Sequence, residues 1–346
     1  MSQKILVTGG AGYIGSHTSV VLQNSGYDVH IIDNLANASP DVVNNIAKIT
    51  GIEPTFTNLD LCDADALHAY FLKHQHFAGV IHFAAHKSVS ESARKPLHYY
   101  HNNLLGLINI LEEMGRTDCR NLVFSSSCTV YGQPDHLPVA EDAPLKKAAS
   151  PYGNTKKICE DIITDQAANK QVRAISLRYF NPTGAHDSAC IGEMPMDTPN
   201  NLVPYLTQTS IGKREQLRVF GSDYNTPDGS GIRDYIHVMD LANAHLSALE
   251  RLSEKRNEKN PEVFNLGTGQ GYSVLDVIWT FERVTGVKVN YTIAQRRPGD
   301  IEKVWADPSR ANKALNWHTR YSLEEMLESA WIWELTMKAK QETPQQ

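Results

Sequence analysis

Cysteine is scarce in this sequence, and its five copies form no recognisable pattern. They are dispersed, odd in number and without CxxC spacing, at Cys62, Cys119, Cys128, Cys159 and Cys190. Such a set indicates neither a disulfide framework nor a zinc site. We therefore expect free thiols and no bound metal.

The chain also lacks long apolar runs and clusters of basic residues. No apolar stretch reaches the length of a membrane span, and the first expected strand begins near Lys4, which leaves no room for a signal peptide. The formal net charge is −6, and no segment is rich in lysine and arginine, so nothing indicates nucleic-acid binding. With 346 residues the chain can form one large domain or two ordinary ones. We expect a cytoplasmic globular protein that binds neither membrane nor nucleic acid.

What the sequence does contain is a glycine-rich turn close to its start. The apolar run over residues 4–8 is typical of a buried parallel strand, and Gly9, Gly12 and Gly15 follow it directly. Glycines at this spacing allow a tight turn, a close approach of backbone to a pyrophosphate, and close packing of the next helix on the strand. The helix N-terminus adds partial positive charge. The segment therefore predicts a dinucleotide site.

A second expected strand indicates which dinucleotide is bound. It covers residues 28–32 and ends in Asp33, 18 positions after Gly15. A carboxylate at this place can hold the ribose hydroxyls of adenosine. Because Asp33 would repel a 2′-phosphate and Asn34 offers it no cation, the pattern favours NAD over NADP.

Strands and helices continue to alternate along the first half of the chain. Strands are expected near residues 54–58, 78–83, 120–125 and 172–178, and helices near 63–75, 97–115 and 151–169. This alternation predicts an α/β fold, a Rossmann-type doubly wound parallel sheet, in which ligands bind at the carboxyl ends of the strands. The residues expected at those ends are Asp60, Leu61, Phe83, Ala84, Ala85, Lys87, Ser125, Ser126 and Ser127. Serines in such places are often turn formers, and that interpretation stays open.

The helix expected from residue 151 carries a tyrosine and a lysine on one face. Ser150 is a favourable N-cap and Pro151 suits the first helical position, while Tyr152 and Lys156 are four residues apart. A tyrosine base at neutral pH needs its pKa lowered by about three units, or roughly 4 kcal/mol. Nearby positive charge, from Lys156 and an oxidised nicotinamide, could supply that stabilisation. The spacing alone also fits a solvated helix edge, so the hypothesis depends on its surroundings.

Several motifs together resemble the extended short-chain dehydrogenase/reductase superfamily. They are residues 8–15, 125–132 and 178–182 together with Tyr152 and Lys156. Further motifs at residues 200–202, 231–241 and 296–300 narrow the resemblance to the UDP-glucose 4-epimerases, over nearly the whole chain. Only the polar tail from about Lys338 is uninformative, and it is expected to fray.

The resemblance implies roles for individual residues. Tyr152 is the expected catalytic base, Lys156 its electrostatic partner and a ligand of the nicotinamide ribose, and Ser127 the hydroxyl beside the sugar O4′. The residues expected to bind NAD, besides Tyr152 and Lys156, are Gly9, Gly12, Tyr13, Ile14, Gly15, Asp33, Asn34, Asn37, Ala38, Asp60, Leu61, Phe83, Ala84, Lys87, Asn102 and Phe180.

The second half of the chain is expected to bind a UDP-sugar. After Asn181 the sequence becomes rich in proline, glycine and asparagine, so we expect a NAD-binding domain over residues 1–181, rejoined by about 234–262, and a smaller α/β substrate domain mainly over 182–346. Arg233 and Arg297 could each grip a phosphate, and Phe220 could stack under uracil; taken alone, the arginines could equally be surface charges. The full expected substrate set is Ser127, Asn181, Asn201, Leu202, Arg218, Phe220, Arg233, Arg297, Asp300 and Val304. The helix after Ser273 is expected to be structural, since residues 273–276 form a capping box.

The implied reaction is an inversion at one carbon with no net redox change. Tyr152 would take the O4′ proton while the C4′ hydride passes to NAD, and the 4-keto sugar would turn over before the hydride returns to its other face. A related 4,6-dehydratase or decarboxylase would need carboxylates beside Ser127, where this chain has Cys128, Thr129 and Val130. A non-catalytic NAD-sensing protein would usually lack the tyrosine or the lysine.

One departure from the family pattern concerns the hexose pocket. Where bacterial members often carry a tyrosine before Trp305, this chain has Val304. A smaller side chain leaves room for N-acetylated UDP-hexoses, unless neighbouring residues fill the gap. The family is often homodimeric through helices such as 97–115 and 151–169, so a homodimer is also expected.

Overall fold

The computed structural model describes residues 2–297 and 300–342, in which strands and helices alternate. The strands are β1 (Lys4–Thr8), β2 (Asp28–Asp33), β3 (Thr55–Asn58), β4 (Phe77–His82), β5 (Asn121–Ser127), β6 (Arg173–Tyr179), β7 (Asn181–Thr183), β8 (Leu217–Phe220), β9 (Ile232–Arg233), β10 (Tyr235–His237), β11 (Glu262–Leu266), β12 (Tyr272–Ser273), β13 (Tyr291–Ala294) and β14 (Lys303–Val304). The helices are α1 (Tyr13–Asn24), α2 (Asp41–Thr50), α3 (Ala64–Lys73), α4 (Val89–Arg94), α5 (Pro96–Arg116), α6 (Pro151–Ala168), α7 (Leu202–Ser210), α8 (Val238–Ser253), α9 (Val274–Thr285), α10 (Ser309–Leu315) and α11 (Leu323–Glu342).

Seven of the strands form one parallel sheet in the order β11-β6-β5-β4-β1-β2-β3. The order reverses between β1 and β4, so the carboxyl ends of these two strands border a crevice, where ligands bind in doubly wound sheets. The predicted Rossmann-type architecture is confirmed. Each strand and helix expected in the first half lies within about two residues of its predicted bounds.

Alternating side chains of β1 show how the sheet is buried on both faces. Ile5 and Val7 enter one core, with residues of α1, α2 and α8, whereas Leu6 enters the opposite core, with residues of α3, α5 and α6. All three side chains are fully buried. The apolar run at residues 4–8 therefore serves both layers, which is why it shows no polar alternation.

The later part of the chain builds a third hydrophobic core. Side chains of α7, α9 and α11 pack with those of β8, which pairs in parallel with β13. A small sheet of order β12-β9-β14 lies beside it. The predicted capping box is present, because Ser273 Oγ accepts a hydrogen bond from Asp276 N at 2.9 Å and the Asp276 carboxylate accepts one from Ser273 N at 3.0 Å.

Two expectations about the C-terminal half need comment. The tail was expected to fray from Lys338, but α11 continues to Glu342, so the expectation is wrong for those five residues; residues 343–346 lie outside the described residues. Pro298 and Gly299 of the 296–300 motif also lie outside them. Among the helices that the structure describes, none has both the length and the apolar content needed to cross a bilayer.

Candidate active site

The glycine turn between β1 and α1 leaves no space for side chains at two of its positions. Gly9 has a φ of +70°, and a Cβ there would lie 2.7 Å from Ala84 N. A Cβ on Gly15 would lie 2.3 Å from Gly9 O. Gly12 is the N-cap of α1 and makes no side-chain cap, so the first N–H groups of the helix remain available. This is a cradle that fits an anionic diphosphate.

Asp33 closes the other side of the turn. Its carboxylate accepts hydrogen bonds from Ala11 N at 3.1 Å and from Leu35 N at 2.9 Å. Burial raises the pKa of Asp33, and these backbone hydrogen bonds oppose the rise. Each carboxylate oxygen has a further lone pair, so the group can still accept from ribose hydroxyls.

The other residues expected at the cofactor differ in their contacts and burial. Asn34 donates to Asp60 at 3.1 Å, and Phe83 N donates to Thr8 O at 3.0 Å, which sets Phe83 and Ala84 against the glycine turn. Lys87 pairs with Glu193 at 3.1 Å. Of the remainder, Leu61, Ala38 and Phe180 are buried, Tyr13, Ile14 and Asn102 are half-buried, and Asn37 is exposed.

Tyr152 and Lys156 lie on the buried face of α6. Ser150 Oγ accepts from Gly153 N at 3.1 Å, so the predicted N-cap is present, with Pro151 in the first turn. Tyr152 is 8% exposed and Lys156 3% exposed, which excludes a solvated helix edge. Lys156 Nζ donates to Ser125 O at 2.7 Å and lies 4.9 Å from the centre of the Phe124 ring.

The electrostatics of the pair follow from its burial. Burial lowers the pKa of Lys156 to about 8, against a smaller upward effect of Cys159 and Glu160, so the amine is mainly protonated at neutral pH. Burial also raises the pKa of Tyr152 well above its usual value, and a hydrogen bond with Ser127 acts against that rise. Without added positive charge, Tyr152 is therefore a neutral phenol.

Ser127 ends β5 next to this pair. Its hydroxyl oxygen accepts from Thr129 N at 3.2 Å and from Thr129 Oγ1 at 3.0 Å. Both of these bonds are donated to Ser127, so its own proton can be donated to the Tyr152 hydroxyl or to a substrate oxygen. Ser127 is 6% exposed, and its interaction with Tyr152 makes the two hydroxyls neighbours.

A buried ion pair supports the end of β5 from behind. Arg178 Nε donates to Glu160 Oε1 at 2.9 Å, and Arg178 Nη2 donates to Glu160 Oε2 at 2.5 Å. Ser126 Oγ also donates to Glu160, and Arg178 Nη1 donates to Tyr131 OH at 2.9 Å. Glu160 lies one turn after Lys156, so one network connects α6, β5 and β6 beneath the site.

Both arginines that are expected to bind the diphosphate form ion pairs with the same carboxylate. Arg233 Nη2 lies 2.7 Å from Asp300 Oδ1, and Arg297 Nη2 lies 3.6 Å from Asp300 Oδ2. The Arg297 guanidinium also lies 4.6 Å from the centre of the Phe220 ring. Val304 faces Arg233 in the β14–β9 register and is 4% exposed. The two arginines carry one positive charge more than Asp300 neutralises, as an anion site requires.

Four other expected substrate residues are less closely gathered. Asn201 donates to Glu193 Oε1 at 2.7 Å, and Asn181 is held by its backbone N–H on Asp234 O at 3.0 Å. Leu202 packs against the third core, and Arg218 is exposed on β8.

Glu193 is the residue that sequence reasoning missed. One of its carboxylate oxygens accepts both from Lys87, expected at NAD, and from Asn201, expected at the substrate. Its side chain is only 11% exposed. Nothing in the local sequence signals this bridge, since its partners are 106 and 8 positions away.

The fold and these side chains define an enzyme class. A doubly wound sheet with a glycine turn at its switch point, and a buried tyrosine, lysine and serine beside it, is the arrangement of an extended short-chain dehydrogenase/reductase. In the described part of the chain, no three His, Cys, Asp or Glu side chains are grouped to hold a metal ion.

Comparison with known proteins identifies the family. The chain belongs to the NAD dependent epimerase/dehydratase family, whose model matches residues 5–267. It is 50% identical over 331 residues to the UDP-glucose 4-epimerase of Bacillus subtilis (strain 168), covering 95% of this chain and 96% of that protein.

Two solved structures show the same architecture. The UDP-glucose 4-epimerase from Stenotrophomonas maltophila, with bound NAD and formylated UDP-arabinopyranose, matches with a TM-score of 0.94 and 47% identity over 98% of this chain and 99% of that one. The UDP-Glc/GlcNAc 4-epimerase from Campylobacter jejuni matches with a TM-score of 0.83 and 36% identity over 97% of this chain and 100% of that one.

Proposed function

We infer that this protein is an isomerase that inverts C4 of UDP-hexoses, interconverting UDP-galactose and UDP-glucose through a transient 4-keto sugar. The observation that carries the inference is that the buried Tyr152 lies next to Ser127, at the carboxyl end of β5, while Lys156 on the same helix donates to Ser125 O of that strand. The names of the relatives agree with this reaction. A dehydratase or decarboxylase would require a carboxylate next to Ser127, and the turn that follows it, Cys128–Tyr131, contains none.

The residues present fit NAD. The glycine turn leaves a cradle for the diphosphate at the start of α1, and Asp33 can still accept hydrogen bonds from a ribose. The next residue, Asn34, carries no positive charge that could bind the 2′-phosphate of NADP. When bound, NAD supplies the hydride acceptor and donor that inversion at C4 requires. Because the hydride taken up by NAD is returned in the same catalytic cycle, no exchange of cofactor is needed. The protein is therefore expected to keep its NAD bound.

Proton transfer falls to the chain's own side chains. We propose that Tyr152, as the phenolate, takes the proton of the sugar O4′ and later returns it, while Ser127 keeps its proton and donates a hydrogen bond to the same oxygen. Lys156 contributes the positive charge that favours the phenolate. Ser125 O fixes this amine by accepting its hydrogen bond at 2.7 Å, so the charge is held in place before substrate binds.

We propose that the protein binds the substrate mainly through its nucleotide part. Arg233 and Arg297 would bind the diphosphate and Phe220 would stack on the uracil, while Asn181 and Asn201 bond sugar or phosphate oxygens. This division leaves the hexose loosely held. A 4-keto sugar that must present its other face benefits from that looseness, because tight binding of the whole sugar would prevent the rotation.

The experiment that tests the function uses the purified protein with no added NAD. We expect it to convert UDP-galactose to UDP-glucose, as separated by chromatography. A 4-keto-6-deoxy product would indicate a dehydratase instead. No turnover even after NAD is restored would indicate a non-catalytic NAD-binding protein.

We also propose that N-acetylated UDP-hexoses are substrates. Val304 packs in a cluster with Tyr131 and Phe180, next to Arg233 in the strand register. Its short side chain at the expected wall of the hexose pocket leaves volume that a tyrosine would occupy. Ile301 and Leu137, which pack on the same cluster, are the residues that could fill it instead.

The substitution Val304→Tyr tests this proposal. We expect kcat/KM for UDP-N-acetylgalactosamine to fall about 10-fold or more, because the added ring occupies the space of the acetyl group, with UDP-galactose turnover changed little. Parallel assays on both substrates measure the ratio, and Val304→Ala serves as a control that should preserve both activities. Equal losses on the two substrates would mean that Val304 does not select between them.

A homodimer through α5 and α6 is a further proposal. The two helices pack together, and α5 exposes apolar side chains, with Leu97 81% and Ile108 37% exposed. Light scattering would test for a mass of twice 38.6 kDa. Leu97→Asp should then shift the mass towards that of one chain.

The domain division and the location of the protein are proposed on two observations. The third core of α7, α9 and α11 supports assigning residues 182–346 mainly to the UDP-sugar, with residues 1–181 and about 234–262 holding NAD. The five cysteines are free thiols, which supports a reducing compartment such as the cytoplasm.

A further inference from the structure

The hydroxyl of Tyr224 is buried without a hydrogen-bond partner in residues 2–297 and 300–342. The whole residue is 6% exposed. Two other buried tyrosines have paired hydroxyls, Tyr131 with Asn265 at 2.7 Å and Tyr99 with Glu91 at 3.0 Å. An unpaired buried hydroxyl costs stability, so a phenylalanine would serve the fold better. The retained oxygen calls for a partner from outside the chain.

The ring of Tyr224 is fixed in place. Gly221 has a φ of +87°, and a Cβ there would lie 2.3 Å from the ring, so the backbone packs directly on it. The Arg296 guanidinium lies 4.0 Å from the ring centre, and Asp223 holds that arginine through a contact of 2.7 Å to Nε. The hydroxyl therefore cannot swing out to water without breaking these contacts.

The charged groups that act on this hydroxyl are those of the expected diphosphate site. Burial first, and then Asp300, raise the pKa of Tyr224, while Arg296, Arg233 and Arg297 act in the opposite direction. The phenol therefore stays protonated and is available as a donor. Arg296 lies over the Tyr224 ring, and the next residue, Arg297, lies over Phe220 and pairs with Asp300. Tyr224 therefore lies next to the residues expected to bind the diphosphate.

We propose that Tyr224 is an additional substrate-binding residue, whose hydroxyl donates a hydrogen bond to a phosphate oxygen of the nucleoside diphosphate. The proposal rests on the proposed function and deepens it. The diphosphate does not change during inversion at C4, so the bond is equally strong in the ground state and the transition state. Its loss should raise KM and leave kcat unchanged.

Tyr224→Phe in the protein as purified, with its cofactor, tests the proposal. We expect the Kd for UDP, measured by calorimetry, to rise about 10-fold, as for a hydrogen bond to a charged group, and KM for UDP-galactose to rise by a similar factor. Affinity for uridine, which lacks phosphate, should stay unchanged. The melting temperature without UDP should be equal or higher, because an unpaired hydroxyl is removed, while the increase on adding UDP becomes smaller.

Tyr70→Phe is the matched control. Tyr70 is 5% exposed and its hydroxyl pairs with His30 at 3.3 Å, in the core beneath α3. This variant should lose stability and keep its UDP affinity. The proposal would be overturned if Tyr224→Phe bound UDP as tightly as the unmodified protein, or if its affinity for uridine fell as much as its affinity for UDP. Turnover of UDP-galactose by the unmodified protein would still support the function in that case. Failure of the unmodified protein to bind UDP or turn over UDP-galactose would overturn both.

Discussion

Tyr152→Phe is expected to lower kcat for UDP-galactose by about 10³-fold. The substitution keeps the ring and removes the one atom that exchanges a proton with O4′, and general acid–base catalysis by a positioned side chain contributes about 10²- to 10⁴-fold. KM should change little, since the residues proposed to bind the nucleotide are distinct from Tyr152. Turnover followed by chromatography measures the effect, and NAD released on denaturation checks that the cofactor is still retained.

The control for this variant is a tyrosine on the neighbouring helix. The Tyr100 hydroxyl accepts from Asn154 Nδ2 at 2.7 Å, so Tyr100→Phe perturbs α6 close to the site without touching the reacting atoms. It should keep most of the activity. If Tyr152→Phe retained more than about a tenth of the original rate, another group would have to be the base.

The second large effect concerns stability. Glu160→Gln should lower the free energy of unfolding by about 3–5 kcal/mol, because it leaves the buried guanidinium of Arg178 without its counter-charge. The side chains of both residues are less than 9% exposed. Urea denaturation would measure the loss. Activity should fall as well, since Ser126, which donates to Glu160, precedes Ser127 on β5.

An exposed ion pair provides the comparison. Arg283 and Glu324 lie 2.7 Å apart with side chains 64% and 44% exposed. Glu324→Gln should therefore cost less than about 1 kcal/mol, owing to solvent screening. Replacing both members of the buried pair, as Glu160→Met with Arg178→Met, should restore much of the stability. If Glu160→Gln and Glu324→Gln lowered the free energy of unfolding by similar amounts, an unpaired Arg178 guanidinium would not be costly, and the explanation by burial would be wrong.

Elements coded by neighbouring residues were predicted well from the sequence. The N-cap at Ser150 and the capping box at residues 273–276 depend on partners three positions away, and both are present. The apolar run of β1 and the glycine turn are equally local. Contacts within a few residues are visible in a sequence, because helix and strand geometry fixes which side chains meet.

Contacts between distant segments could not be predicted in this way. Glu193 pairs with Lys87, 106 positions away, and Arg178 pairs with Glu160 between a strand and a helix, although no local pattern marks these partners. Lys156 is expected beside the phenol from its spacing on α6, whereas its hydrogen bond to Ser125 O depends on how α6 packs against β5. Such contacts are set by tertiary packing, which spacing along one helix does not determine.

The position of β11 at the edge of the sheet has a consequence for biosynthesis. Residues 262–266 pair with β6, so the last strand of the sheet is made after about three quarters of the chain has been translated. Until Leu266 has left the ribosome, β6 presents an open edge, which can pair with a strand of another nascent chain. The N-terminal half therefore cannot complete its sheet before β11 has emerged, and protection by a chaperone is most useful between the emergence of β6 and that of β11.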